Sequence, residues 1–478
     1  MTGTITEHSN AYYWGVIALI ALGQVVFGVD FGAVNVALAS ISKDLNIEPS
    51  VLPWVVSTYS LTYAGFLVLG GRAADIYGRR RFCIFGLCVF GGGLLVAIFA
   101  QNVWMLIAAR ALEGFGSAFF IPASFSLINV LLPEGPIRHR AFSVFSATQG
   151  VAMILGLCGG GILTTAFGWR AVFLINVPLV IAAILLSLRF IPAFEKSGEK
   201  RGIDVGGAVL ITAVAVLALT SLSAMGEFGW TSYQGLGLLC GSGVALAAFL
   251  LLERGLSNPL VPPSIYRYEN FLGADIASIG AMATTGCLFV LLNLFMQRVL
   301  HFTAQQSGLG MLPYALAVIT AGRFIGHGMS RYPLRPTIIC GFVLFAIGTL
   351  LFAIVSADRG YGLNVVPASI VVGLGSTVAT VLLMALSTAA VPSAVQGVAT
   401  GVLVTFQQIG LALGVSVGVT IVTASVKAGD SAIVAFRQGF LSATAMSTIG
   451  LVCVLLFTRK LAAAAKVNRE DAKLVKTA

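Results

Sequence analysis

Residues 106–133 read LIAARALEGFGSAFFIPASFSLINVLLP. The run is long and apolar enough to cross a bilayer, which takes about 20 such residues as a helix. Arg110 and Glu113 nevertheless sit inside it, three residues apart. A charged side chain at the centre of a spanning helix costs about 2.5–3.5 kcal/mol on insertion scales. The second part of the stretch, GFGSAFFIPASFSLINVLLP (114–133), returns in outline as GLGSTVATVLLMALSTAAVP (373–392). Both start G-x-G-S and end in Pro, with Leu127 over Leu386, and Gln149 falls at the same offset as Gln408. In that register Arg110 lies over Ser369 and Glu113 over Val372, so the second copy carries no charge there.

The rest of the chain has the same character. Of 478 residues, 58% are hydrophobic and only 10% charged, and mean hydropathy is +0.97, far outside the range of soluble domains. The class is an all-α polytopic membrane protein whose main partner is the lipid bilayer. MTGTITEHSN has no Lys or Arg and no small-residue cleavage site follows, so the first apolar run reads as a retained helix rather than a signal peptide. The net charge of +10 fits the basic bias of cytoplasmic loops, and no basic, aromatic-interleaved soluble segment offers a nucleic-acid surface. Cys83, Cys88, Cys158, Cys240, Cys287, Cys340 and Cys453 fall in apolar runs without a CxxC pair and read as buried free thiols. The four His are scattered, so no metal site is indicated. The sequence has no GxxxxGK[ST], HExxH or GxSxG, hence no expected cofactor and no enzyme chemistry.

Fourteen apolar stretches are long enough to span, near 12–38, 54–70, 82–100, 104–131, 141–167, 171–190, 205–224, 235–252, 271–299, 308–328, 337–356, 366–390, 398–426 and 440–458. With both termini in the cytoplasm, 21 of the 28 Lys and Arg fall on the inner side, which supports that orientation. Polar segments at 194–204 and 253–270 divide the spans into six, two and six. The predicted organisation is a bundle at 1–193, a linker with two extra helices at 194–270, a second bundle at 271–458 and a cytoplasmic tail at 459–478. Internal repeats of apolar helices mark secondary transporters, in which two bundles rock about a midplane site.

Four motifs resemble the major facilitator superfamily, and within it the fourteen-span drug:proton antiporters of the QacA/EmrB type. GGRAADIYGRRR (70–81) resembles the cytoplasmic loop signature G-x-L-a-D-R-x-G-R-r-x, with Gly71, Asp75, Gly78, Arg79 and Arg80 in place. RALEG (110–114) resembles R-x-x-Q-G, with Glu113 where Gln is usual. GVDFGAVNVAL (28–38) resembles L-D-x-T-i-V-N-V-A-L-P and supplies Asp30 and Asn35. GVAMILGLCGGG (150–161) resembles the antiporter motif G-x(3)-G-P-x-x-G-G, with Gly150, Gly156, Gly160 and Gly161 matching and Leu157 replacing Pro. The small residues of this last motif also suit plain helix packing.

The resemblance implies two six-helix bundles plus two linking helices in a bacterial inner membrane. It implies a monomer that exports a small molecule, drug-like and amphipathic, in exchange for protons. The first motif would latch the halves together on the cytoplasmic side, and the Arg of the second is associated with proton coupling. A uniporter or symporter of the same fold, export of an anionic or zwitterionic metabolite, and a non-transporting sensor remain as alternatives.

Depth supplies an expectation independent of the family. Counted from the outer ends of spans one and four, Asp30 and Glu113 both lie roughly 12–14 Å below the outer interface at about 1.5 Å per residue. Arg110 is on the Glu113 face at i,i−3 spacing. Asp30, Arg110 and Glu113 are therefore expected to form one proton-coupling site, against the alternative of a static Arg110–Glu113 pair with Asp30 in a helix contact. Asn35, Tyr59, Tyr63, Gln149, Asn293 and Gln408 are candidates for the substrate site, with Gln24 and Gln407 as further polar groups. Tyr59 and Tyr63 would equally serve as interfacial anchors. Asp275, about five residues into its span, is expected to snorkel or cap.

Overall fold

The computed structural model describes residues 10–47, 51–133, 136–192, 205–254, 259, 261, 263–328, 333–356, 360–389, 391–392 and 395–458. All regular structure among them is helical. In chain order the helices are α1 (Asn10–Asp44), α2 (Leu52–Tyr77), α3 (Arg79–Ile98), α4 (Val103–Leu131), α5 (Pro136–Phe167), α6 (Arg170–Leu174), α7 (Asn176–Phe190), α8 (Val205–Phe228) and α9 (Tyr233–Arg254). A 3-10 turn (Pro263–Arg267) leads into α10 (Phe271–Arg298), α11 (Ala304–Leu309), α12 (Leu312–Gly328), α13 (Leu334–Ala353), α14 (Gly360–Asn364), α15 (Val366–Ala389), α16 (Gln396–Lys427) and α17 (Ala432–Phe457).

Each of the fourteen expected stretches becomes helix, three of them with a short leading helix (α6, α11, α14). Among the described residues, eleven helices are long and apolar enough by length and composition to cross a membrane. The cysteines also depart from expectation: Cys83 and Cys287 are buried, but Cys88, Cys240 and Cys340 are exposed on helix surfaces.

Two large apolar clusters organise the packing. One is built mainly from α1–α7 around Phe27, Phe90, Phe120 and Phe173, and the other from α10–α17 around Phe295, Phe342, Phe345 and Phe440. A third joins α2, α8, α9, α10 and α16 through Val68, Ala208, Phe249, Phe271, Val398 and Val402.

Within each large cluster the same glycine device sets the helix spacing. A Cβ on Gly116 of α4 would lie 2.6 Å from the Gly86 carbonyl oxygen of α3, and one on Gly375 of α15 would lie 2.8 Å from the Gly341 oxygen of α13. Such contacts are inside van der Waals distance, so the backbones touch only because side chains are missing. Gly114 against the Tyr59 carbonyl is matched by Gly373 against that of Tyr314. The hydroxyl pair Tyr59–Ser117 (3.0 Å) is likewise matched by Tyr314–Ser376 (3.4 Å). The repeat read in the sequence at α4 and α15 is thus repeated in space.

One part of the expected register is corrected. Gly156 and Gly160 of α5 pack on Val29 and Ala33 of α1, as Gly410 and Gly414 of α16 pack on Ile279 and Ala283 of α10. This correspondence sets position 149 against Leu403, not Gln408, because the chain from Gly114 to Gly156 is longer than the chain from Gly373 to Gly410.

Candidate functional site: a buried charge cluster and a clasp between the halves

Arg110, on α4, is completely buried, as are Asp30 on α1 and Glu113 one turn along α4. Its Nη1 donates to Asp30 Oδ2 at 2.5 Å and also to Glu113 Oε2. Its Nε donates to the carbonyl oxygen of Val55 at 3.2 Å, and the guanidinium lies 4.5 Å from the ring centroid of Tyr59. Three helices, α1, α2 and α4, therefore meet at one cation. The structure puts Asp30 and Glu113 on the same nitrogen, which is what two antiparallel helices with acids at one depth would produce.

Local features make the arrangement possible. Glycine at position 93 leaves room for Glu113, since a Cβ there would come within 2.7 Å of the Glu113 Cγ. The Ser117 hydroxyl donates to the Glu113 carbonyl oxygen at 2.8 Å and pairs with the Tyr59 hydroxyl. Tyr59 stacks on Tyr63 with centroids 6.1 Å apart and tilts against Phe31 at 6.0 Å. Both tyrosines are buried, so they form a wall of this site rather than interfacial anchors.

The charges do not balance. Two carboxylates face one guanidinium in fully buried surroundings, and Asp30 Oδ1, Glu113 Oε1 and Arg110 Nη2 have no hydrogen-bond partner among the described residues. Desolvating an unpaired charge is expensive. The static-pair alternative does not describe the geometry, because Asp30 is engaged by the same guanidinium as Glu113.

The second repeat shows what the scaffold does without the charges. Gly348 approaches Val372 as Gly93 approaches Glu113, with a Cβ at Gly348 falling 2.7 Å from the Val372 nitrogen. Ser369 and Val372, together with Thr285, Phe289, Tyr314 and Phe345, line a mainly apolar recess between α10, α12, α13 and α15.

The other candidates lie elsewhere. Asn35 is exposed and donates to the Phe31 carbonyl of its own helix, and Asn293 accepts from Gln297 one turn along α10. Gln407 and Gln408 are half-buried on α16. Gln149 and Gly150 lie outside the residues whose side chains are described. Gly156, Gly160 and Gly161 are buried, the first two in the α1–α5 contact described above.

The 70–81 segment forms a separate site. Gly78, at φ +107, breaks the chain between α2 and α3, a conformation glycine adopts at little cost. Asp75 pairs with Arg79 at 3.0 Å, and Arg80 donates to the Leu188 carbonyl at 3.0 Å. The second Asp75 oxygen accepts from the backbone N–H of Val398 at 3.2 Å, at the N-terminus of α16. That terminus carries exposed N–H groups and a partial positive charge, so a carboxylate suits it. Gly71 and Gly397 bring the two helices together: a Cβ on Gly71 would lie 2.1 Å from the Gly397 oxygen. The receiving half of this clasp, Gly397 and Val398, was not singled out in the sequence. Its only local signal is a glycine just before the start of a predicted span.

A family model described as Major Facilitator Superfamily matches residues 20–265 and 274–478. The chain is 34% identical to the cephamycin export protein CmcT of Amycolatopsis lactamdurans over 442 residues, 92% of this chain and 90% of that one. It is 32% identical to the puromycin resistance protein pur8 of Streptomyces alboniger, over 87% of this chain and 83% of the relative. In fold it is similar to the human organic anion transporter MFSD10, with TM-score 0.66 at 14% identity over 92% of this chain and 99% of that one. The proton:xylose symporter XylE matches with TM-score 0.65 at 15% identity, covering 94% of this chain and 95% of that one.

Proposed function

The chain belongs to the Major Facilitator Superfamily, and from that premise we propose that it is a proton-driven exporter of small amphipathic compounds working by alternating access. The observation that carries the coupling is the buried imbalance of Asp30, Glu113 and Arg110. One proton neutralises the excess carboxylate; its release to the cytoplasm and recovery from outside would accompany export. Curated relatives named for cephamycin export and for puromycin resistance support an antibiotic-like cargo. A net negative cluster favours a cationic group on that cargo.

The reading extends to topology. α2, α5 and α8 join the eleven apolar helices to give fourteen crossings, as in the fourteen-span drug:proton antiporters, with both termini cytoplasmic in a bacterial inner membrane. Bundles at 1–193 and 271–458 then flank two linking helices, and one chain suffices.

The test uses the purified chain in proteoliposomes with an imposed pH gradient and a panel of amphipathic dyes and antibiotics. Wild type is expected to move cargo against its gradient. Asp30→Asn and Glu113→Gln, made separately, are expected to lose proton-driven movement while retaining downhill exchange. Full proton-driven transport in both variants would exclude the cluster as the coupling site. Movement of cargo in the same direction as protons would favour a symporter, for which the replacement of the motif Pro by Leu157 is the supporting feature.

A further inference from the structure

Asp275 is the one acid deep in a spanning helix that the charge cluster does not use. It does not snorkel. Its side chain is completely buried on α10, and Oδ1 accepts from the Ser387 hydroxyl of α15 at 2.7 Å. Oδ2 has no partner.

The sequence explains why no cation pairs with it among the described residues. α15 contains no charged residue, and the only ones on α16 and α17 are Lys427 and Arg437, toward their outer ends. On α10 itself the only other charged residue is Arg298, at the far terminus. The 3-10 turn before α10 carries Tyr266, whose phenol is within electrostatic reach of Asp275 and of Glu253 on α9. Arg267 on that turn is exposed.

Position gives this isolated carboxyl a function. Phe271, one turn before Asp275, and Val391, four residues after Ser387, both belong to the apolar cluster that joins the two halves near the clasp. That cluster stands between Asp275 and the cytoplasm. When the halves part there, water gains the carboxyl; when they close, it is sealed in apolar surroundings that strongly disfavour an ionised, unpaired carboxylate.

We infer that Asp275, hydrogen-bonded to Ser387 beneath the inter-half apolar cluster, is a second proton-binding site that must be loaded for the cytoplasmic side to close. It is separate from the Asp30 cluster in helix, in depth and in having no cation. Its consequence for transport rests on the alternating-access reading, but the bound proton is detectable without any cargo.

The experiment is infrared spectroscopy of the purified full chain at pH 7. Wild type is expected to show a protonated-carboxyl C=O band that Asp275→Asn removes and Ser387→Ala shifts without abolishing. Asp275→Glu keeps such a band and guards against a folding defect in the Asn variant. Asp30→Asn, measured in parallel, is expected to leave the Asp275 band in place, so that failure of one site is distinguished from failure of the other. Spin labels at the cytoplasmic ends of α2 and α16 give the second readout. In an Asp75→Asn background, which removes the clasp acid from the titration and itself raises the open fraction, raising pH is expected to raise that fraction further. Adding Asp275→Asn should abolish that further rise. An unchanged carboxyl band in Asp275→Asn, or an unchanged opening curve, overturns the inference.

Discussion

Oδ2 of Asp75 accepts the backbone N–H of Val398 at 3.2 Å, so a residue of the first half caps a helix of the second. The same carboxylate holds Arg79 at 3.0 Å through its other oxygen. The clasp therefore combines a charge-assisted hydrogen bond with a helix-terminus interaction, at the point where the halves meet most closely. Asp75→Asn keeps the shape but loses the charge. A hydrogen bond to a charged group is worth about 1.5–3 kcal/mol. The variant should shift the closed-to-open balance by roughly ten- to a hundredfold toward open, read as the population of the long distance between spin labels on α2 and α16.

Close backbone approach gives a second prediction. A methyl group on Gly71 has no room against the Gly397 carbonyl, whereas one on Gly92 or Gly159 meets nothing within 4 Å. Gly71→Ala is therefore expected to abolish transport with the protein still folded and inserted. Gly92→Ala and Gly159→Ala should transport normally. Equal activity in all three would show that the α2–α16 contact is not needed.

Tyr59 carries two separable contacts. The ring lies over Arg110, and the hydroxyl pairs with Ser117. Tyr59→Phe keeps the first and is expected to cost about 1 kcal/mol, less than tenfold in transport. Tyr59→Leu removes both and should cost more, since a buried cation–π contact contributes about 2 kcal/mol. Initial rates in proteoliposomes at matched protein levels decide between these outcomes.

The outer end of α1 offers a pH test outside the membrane. The Trp169 indole and the Arg170 guanidinium both donate to Asp44, at 2.9 and 2.8 Å, and hold its carboxyl below the usual range. A depressed folded value stabilises the fold fully above the unfolded value of about 3.9, and that contribution disappears as pH falls through the folded value. Asp44→Asn should thus melt below wild type at neutral pH, and the gap should close on the acid side of about pH 4. A gap that persists or widens there would contradict this assignment.

How much of this was legible in the sequence depends on the kind of signal. Helix positions followed from runs of apolar residues, and the Asp30–Arg110–Glu113 encounter followed from counting residues inward from two span ends. Neither needs long-range information. The Gln149–Gln408 pairing misled because a single offset cannot cross a loop whose length differs between repeats. The partners of Tyr59 and Asp75 were not legible, since Ser117 and Val398 become neighbours only after helices distant in sequence pack. Asp275 was misread as a snorkelling group because depth along a helix says nothing about which face is covered.

The matched glycines and hydroxyls of α2–α4 and α12–α15 have a consequence for how such a protein changes over time. The second repeat holds the same frame, with Gly348, Gly373 and the Tyr314–Ser376 pair, yet supports no ions. Frame and chemistry are therefore inherited independently. A lineage can gain or lose ionic coupling through a few side-chain substitutions while the helices stay where they are. The uncharged repeat is a natural blank within the same molecule, against which each member of the charged one can be weighed.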